Sequence, residues 1–142
     1  MWWVAIGALT VLTGCSTVPT SFTPANPIPA AEFSHKVFEE VLGAHVRDGV
    51  VDYPGIQTDD RLPAYLAQLD RLDPNALASR NERLAFWVNA YNAFAIKGIL
   101  DQYSPISWVG RYRYFIGREY RVGGAGSVHV GALAACRREP RL

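Results

Sequence analysis

From Ala30 to about Val46 the apolar side chains fall at Phe33, Val37, Phe38, Val41 and Leu42, spaced by three and four. Glu32, Lys36, Glu39 and Glu40 lie between them, and the pattern predicts an amphipathic helix. Asp48-Gly49 then predicts a turn, and Val50-Val51-Asp52-Tyr53, stopped by Pro54-Gly55, a short strand. A second amphipathic helix is expected to start near Asp59 and Asp60, whose carboxylates suit a helix N-terminus. It runs through Leu62, Tyr65, Leu66, Leu69 and Leu72. Pro63 falls in its first turn, where a missing N–H costs little. Asp73-Pro74-Asn75 breaks the chain, and a short helical turn is expected around Ala76 to Ala78.

The stretch from Ser79 to Tyr103 has a different character. Ser79 and Glu82 form a capping box, so a helix is predicted to begin there. From Leu84 to Leu100 apolar residues occupy nearly every face: Leu84, Val88, Tyr91 and Ala95 form one stripe, and Trp87, Phe94 and Ile99 lie elsewhere around the cylinder. A helix apolar all round is expected to be buried. Asn89, Asn92 and Lys97 argue against a membrane span. A buried amide needs partners, so Asn89 and Asn92 either brace neighbouring backbone, such as the Asp48 to Tyr53 turn, or face a ligand together with Tyr91 and Trp87. After Ser104-Pro105, Tyr112–Phe115 and Glu119–Val122 flank Ile116-Gly117-Arg118 and read as a β-hairpin. The pattern predicts an α/β chain of the helix-rich α+β kind: a central buried helix packed by two amphipathic helices, with a short strand and a hairpin.

The ends differ from this middle. Met1 to Leu12 is an uncharged apolar run that closes on Leu12-Thr13-Gly14-Cys15, which resembles a bacterial lipoprotein signal. That resemblance implies removal of residues 1–14 and acylation of Cys15, with palmitate among the chains. The protein would then sit in the cell envelope, anchored through its N-terminal lipid, and Ser16 is compatible with the periplasmic face of the outer membrane. No Lys or Arg precedes the run, so the true start is expected upstream. Residues 15–29 carry Pro19, Pro24, Pro27 and Pro29 and read as a tether, which at ~3.1 Å per residue in polyproline II spans about 40 Å. The alternative is a strap docked through Phe22 and Ile28. Residues 30–122 form the domain. From Gly123 to Leu142 the composition shifts to Gly, Ala, Val and Arg with no aromatic residue, an anomalous tail: disordered, helical from Val130 to Arg137, or out of frame.

Composition narrows the functional classes. The chain has 142 residues, 49% of them hydrophobic, a formal net charge of +1 and two cysteines, Cys15 and Cys136. This fits one compact domain that needs no disulfide framework and offers nothing to a nucleic-acid partner. His35 and His45 are ten positions apart, a poor helical spacing for a shared metal, so hydrogen-bonded or solvent-facing roles are expected. Gly123-Gly124-Ala125-Gly126 lacks the following Lys-Ser or Lys-Thr of a phosphate-binding loop. No metal or cofactor is expected, and Asp48, Asp52, Asp59 and Asp60 read as turn and cap residues.

The segments His45-Val46-Arg47-Asp48-Gly49-Val50-Val51-Asp52-Tyr53 and Leu84-Ala85-Phe86-Trp87-Val88-Asn89-Ala90-Tyr91-Asn92-Ala93 resemble the two N-terminal signatures of bacterial lipoproteins in the domain-of-unknown-function 547 family. The resemblance runs from about Phe33 to Val122 and implies an α/β domain centred on the Asn-Ala-Tyr-Asn helix. Family members usually continue with a Gly-Gly turn, a Glu- and His-bearing segment and a later cysteine segment. After Gly124 this chain departs from that pattern, with Ala132 and Leu133 at the Glu and His positions, so the domain reads as truncated. The resemblance further implies a distant relation to papain-like or transglutaminase-like thiol enzymes. Such an enzyme needs a thiolate, an imidazole and an orienting side chain. Cys136 and His129 are the available substitutes, seven residues apart in the tail. The expected function is therefore a binding or structural module of the envelope; the alternative is an inactive fragment of a thiol hydrolase or acyltransferase.

Overall fold

The computed structural model describes residues 21–102 and 119–129. Among the described residues there are four helices, α1 (Lys36–His45), α2 (Tyr53–Gln57), α3 (Arg61–Arg71) and α4 (Arg80–Leu100), and two small antiparallel hairpins. These are β1 (Val46–Arg47) with β2 (Val50–Val51) and β3 (Glu119–Val122) with β4 (Ala125–His129). The chain is helix-rich α+β, as its pattern predicts. Single 3-10 turns at Ala30–Glu32 and Pro74–Ala76 precede α1 and α4.

Helix α3 is where the layers meet, since it packs on α1, α4 and β3. Its Leu62, Tyr65 and Leu69 and the following Leu72 are fully enclosed. Tyr65 stacks on Phe38 of α1 with ring centroids 4.9 Å apart and planes 5° from parallel. Phe33 bridges the same ring to α4, lying 6.5 Å from Tyr65 and 5.6 Å from Phe86. Offset aromatic contacts of this kind stabilise by ~0.5–1.5 kcal/mol each beyond the area they bury.

The end of α3 resolves a problem that every helix has, namely four terminal carbonyls with no partner in the helix. The Gln68 carbonyl accepts from the Leu72 N–H at 3.2 Å, that of Leu69 from Gly123 at 2.9 Å and that of Arg71 from Ile28 at 3.0 Å. Beside them the Asp70 carboxylate accepts from the Gly124 N–H at 3.1 Å, and Arg71 Nε donates to the Asn26 carbonyl at 2.8 Å. Gly123 and Gly124 have positive φ of 63° and 68°. A Cβ on Gly124 would lie 2.3 Å from the Thr23 carbonyl oxygen and from Pro24 Cα, so only glycine fits at this turn.

Helix α4 carries the expected capping box: Ser79 Oγ accepts from the Glu82 N–H at 3.1 Å and Glu82 Oε2 from the Ser79 N–H at 3.2 Å. Caps of this type contribute ~1 kcal/mol. The helix is not buried all round. Phe86, Ala90, Ala93, Phe94, Ile96 and Gly98 face the core, whereas Leu84 and Val88 remain 45% and 38% exposed. Asn92 is exposed and Asn89 half-buried, which corrects the expectation of two enclosed amides.

In three further segments the structure corrects the sequence reading, adds to it or selects between its alternatives. Tyr53 does not extend the strand; it opens α2, because the Asp52 carboxylate accepts from the Gly55 N–H at 3.1 Å and Pro54 tolerates a first helical turn. Strand β3 pairs with β4 across Gly123-Gly124, with Tyr120 opposite Val128 and Val122 opposite Ala125. The 112–115 half of the expected hairpin lies outside the described residues, and β4 falls at the start of the segment read as a tail. Residues 21–29 lie against the domain as a strap: Ile28 is held by Arg71, and the Phe22 ring sits 6.0 Å from Trp87.

His35 joins the core at the start of α1, where its Nδ1 lies 2.7 Å from the Tyr65 hydroxyl. Burial raises the Tyr65 hydroxyl pKa and lowers that of His35, so the O–H donates to a neutral imidazole. The folded state therefore takes up the His35 proton less readily than the unfolded chain, whose pKa is about 6.5. The resulting stability is complete above that value and is lost as pH falls below it. Denaturant titrations from pH 7 down to pH 5 are expected to show falling stability, with a shallower decline in His35→Gln; equal slopes in the two proteins would refute the assignment.

Candidate functional site

The Asp48-Gly49 turn builds the site. Both residues have positive φ, 52° and 78°, the two-residue turn whose twist suits a tight hairpin. It sets Arg47 opposite Val50 and Val46 opposite Val51. The next pair outward is His45 and Asp52, and the Asp52 N–H donates to the His45 carbonyl at 2.8 Å. The last residue of α1 and the cap of α2 are thus neighbours. A further turn brings Asp59 to the same place, where its Oδ2 lies 2.9 Å from His45 Nε2.

Asp59 is nearly enclosed and fully engaged. Its Oδ1 accepts from the Arg61 backbone N–H and from Arg61 Nε, both at 2.9 Å, and its Oδ2 from Arg61 Nη2 at 2.7 Å. The Arg61 guanidinium first, then the Arg61 backbone N–H and the His45 ring, hold the Asp59 carboxyl well below the usual carboxylate range, overcoming the opposing effect of burial. Its ion-paired partner Arg61 is correspondingly shifted up. An ionised carboxylate can only accept, so His45 Nε2 carries a hydrogen, and Nδ1 is the ring nitrogen left without a hydrogen bond among the described residues.

That Nδ1 lies 3.8 Å from Asp52 Oδ2, too far for a hydrogen bond but close enough for charge to be felt. The order of exposure is graded, with Asp59 at 9%, His45 at 17% and Asp52 at 60%. Beside the imidazole an open cleft of about 470 Å³ is lined by His45, Arg47, Val50, Val51, Asp52 and Pro54. Gly55 lies against the His45 and Asp52 side chains. A Cβ there would stand 2.2 Å from Asp52 Oδ2 and 2.6 Å from His45 Nδ1, so the two side chains approach only because residue 55 has none. A carboxylate-oriented imidazole with one unbonded nitrogen can accept a proton or hydrogen-bond a ligand. Arg61 and His45 already engage both Asp59 oxygens, and among the described residues no group of three or more His, Cys, Asp and Glu side chains is placed to hold a metal ion.

The residues singled out from sequence lie elsewhere. Trp87 is half-buried, edge-on to Phe86 at 5.1 Å, and Tyr91 packs against the core. No hydrogen bond among the described residues joins the side chain of Asn89 or Asn92 to the Asp48–Tyr53 turn, and α4 contributes nothing to the cleft lining. Cys15 and Cys136 are outside the described residues, and His129 is described only as the backbone partner of Glu119. The His45, Asp52 and Asp59 grouping was not anticipated. A signal for part of it existed, because a two-residue Asp-Gly loop places residues 45 and 52 opposite each other.

The model of a family described as protein of unknown function, DUF547, matches residues 75–131. This is less than half of the chain; it takes in α4, β3 and β4, supports the resemblance drawn from the Leu84–Ala93 segment, and leaves the His45–Asp59 site outside. No curated protein matches, and no solved structure does.

Gly55→Ala is expected to force Asp52 and His45 apart and to destabilise the fold by about 1–3 kcal/mol, the range for overpacking. Chemical denaturation measures the loss, and an unchanged midpoint would show that the two side chains yield freely.

Proposed function

We propose that the protein is a membrane-anchored lipoprotein of the bacterial cell envelope, acylated at Cys15, whose domain serves as a binding or structural module. The carrying observation is the apolar run Met1 to Leu12 closing on Leu12-Thr13-Gly14-Cys15. One acyl chain holds a protein only marginally, at ~0.8 kcal/mol per buried methylene, whereas the two or three of a lipoprotein hold it stably. The domain then works at the membrane, on the periplasmic face of the outer membrane in the assignment favoured by Ser16. The cleft beside His45 is the place for a small polar ligand, or a polar side chain of a protein partner, to meet an oriented imidazole. Growth of a competent bacterial host with radiolabelled palmitate is expected to label the wild type and not Cys15→Ser. Unlabelled wild-type protein would overturn the anchoring.

One observation favours a second reading. A histidine oriented by a carboxylate, as His45 is by Asp59, is a component of thiol hydrolases and acyltransferases, of which this chain would be an inactive fragment. The two readings differ beyond Val122: translation of the DNA in the other frames that recovers a His-bearing and a Cys-Gly-bearing segment favours the enzyme class, and a stop without them favours the module.

A further inference from the structure

We infer that the outward face of α4, centred on Leu84 and Val88, docks on the lipid bilayer that holds the Cys15 anchor, so that the domain lies on the membrane with a fixed face down. The inference rests on the proposed acylation of Cys15. Leu84 and Val88 are one helical turn apart and are, with Val50, the large apolar residues left exposed among the described residues. Trp87 and Tyr91, also one turn apart, flank them as half-buried rings. Apolar residues bordered by Trp and Tyr suit the headgroup boundary, where an aromatic ring meets acyl chains on one side and water on the other.

The path of the chain selects the bilayer as the occupant. The strap does not leave the domain at a remote point. Its Phe22 ring rests 6.0 Å from Trp87, beside the same exposed stripe. The hydrogen bond from Ile28 to Arg71 and the close fit of Thr23 and Pro24 over Gly124 fix the strap's course up to that point. Cys15 precedes Phe22 by seven residues. Fully extended, these reach at most about 25 Å. Helix α4 alone, with 21 residues, is about 30 Å long. The acylated residue is therefore held within about 25 Å of Phe22, whose ring rests beside Trp87 of α4. The effective tether is also shorter than the ~40 Å that residues 15–29 would span if all were free. An apolar stripe confined so near a bilayer meets it at high effective concentration, and each side chain transferred from water contributes in proportion to its buried area.

The test uses the full-length acylated protein carrying Cys136→Ser, with Leu84→Cys, Val88→Cys or the exposed control Gln57→Cys bearing an environment-sensitive fluorophore. The Cys15 thiol is blocked by its lipid. The proteins are reconstituted into phosphatidylethanolamine–phosphatidylglycerol vesicles containing lipids with a doxyl quencher high on the acyl chain. An interfacial helix buries its apolar face ~5–10 Å into the boundary. The expected result is loss of emission at positions 84 and 88 and none at position 57. Full emission at 84 and 88 in palmitate-labelled protein would overturn the docking and leave the anchoring intact. A blue-shifted but unquenched label would mean that protein, a second copy or another partner, covers the face, and would overturn it equally. Absence of palmitate in the wild type would overturn the anchoring and the docking together.

Discussion

The last turn of α3 holds together parts of the chain that local propensity would leave apart. Its carbonyls need donors from outside the helix, and they find them in Gly123 and Ile28, while Asp70 takes the N–H of Gly124. A single helix end thus fixes the strap, the β3–β4 turn and, through Leu69 and Leu72, the core beneath them. Each bond contributes only ~0.5–1.5 kcal/mol net, but an unmade one would leave a buried polar group at a cost of ~1–3 kcal/mol. The constraint acts mainly by exclusion: other placements of the strap or turn would strand carbonyls. The two glycines follow from it, since Phe22, Thr23 and Pro24 come too close for any side chain at 123 or 124.

The His45 site follows a related logic with charge in place of carbonyls. A carboxylate as enclosed as Asp59 would be expelled or neutralised without partners. Arg61 supplies both charge and a planar fork of donors, and His45 supplies one more hydrogen bond. The guanidinium fixes the carboxylate, the carboxylate fixes the imidazole, and Gly55 leaves room for Asp52 to approach the remaining ring nitrogen. The arrangement joins α1, β2, α2 and α3 across a span of fewer than twenty residues. It therefore serves stability whatever else it does. His35, ten residues earlier on the same helix, is held by a neutral hydroxyl in place of a carboxylate. Protonation is resisted there by burial.

Much of this was legible in the sequence because it was local. The three- and four-residue spacing of Phe38, Val41, Leu62, Tyr65 and Leu69 marked two helices, and Ser79 with Glu82 marked the start of a third. What failed depended on distance in the chain. Val50-Val51-Asp52-Tyr53 has strand composition throughout, but the Asp52 side chain captures the Gly55 N–H and converts the chain to helix one residue early. The apolar girth of α4 suggested full burial, yet the core has room for only one side of it, and Asn89 and Asn92 lie outside that side. Strand β3 pairs forward with β4 across two glycines with positive φ, a partner that the composition of the following segment did not announce; the 112–115 partner expected from aromatic alternation lies outside the described residues. The carboxylates of Asp52 and Asp59 were rightly read as caps; their second role needed the hairpin register and the α2 turn together.

The strap and α4 belong to one physical argument. A proline-rich segment pays little conformational entropy when it is ordered, because its backbone is already restricted. Few contacts then suffice to dock it: Phe22 on Trp87, two hydrogen bonds at Arg71 and the bare backbone of Gly124. Docking shortens the reach of the segment and fixes the side of the domain on which residue 21 lies. That side carries the exposed pair Leu84 and Val88, which would be an aggregation liability on a freely diffusing protein. Held within a few nanometres of a bilayer, as the proposed acylation of Cys15 would hold it, the same pair would have a surface to cover it. The glycine turn after β3 thereby influences how the whole domain is presented, by clearing the path along which the strap must run.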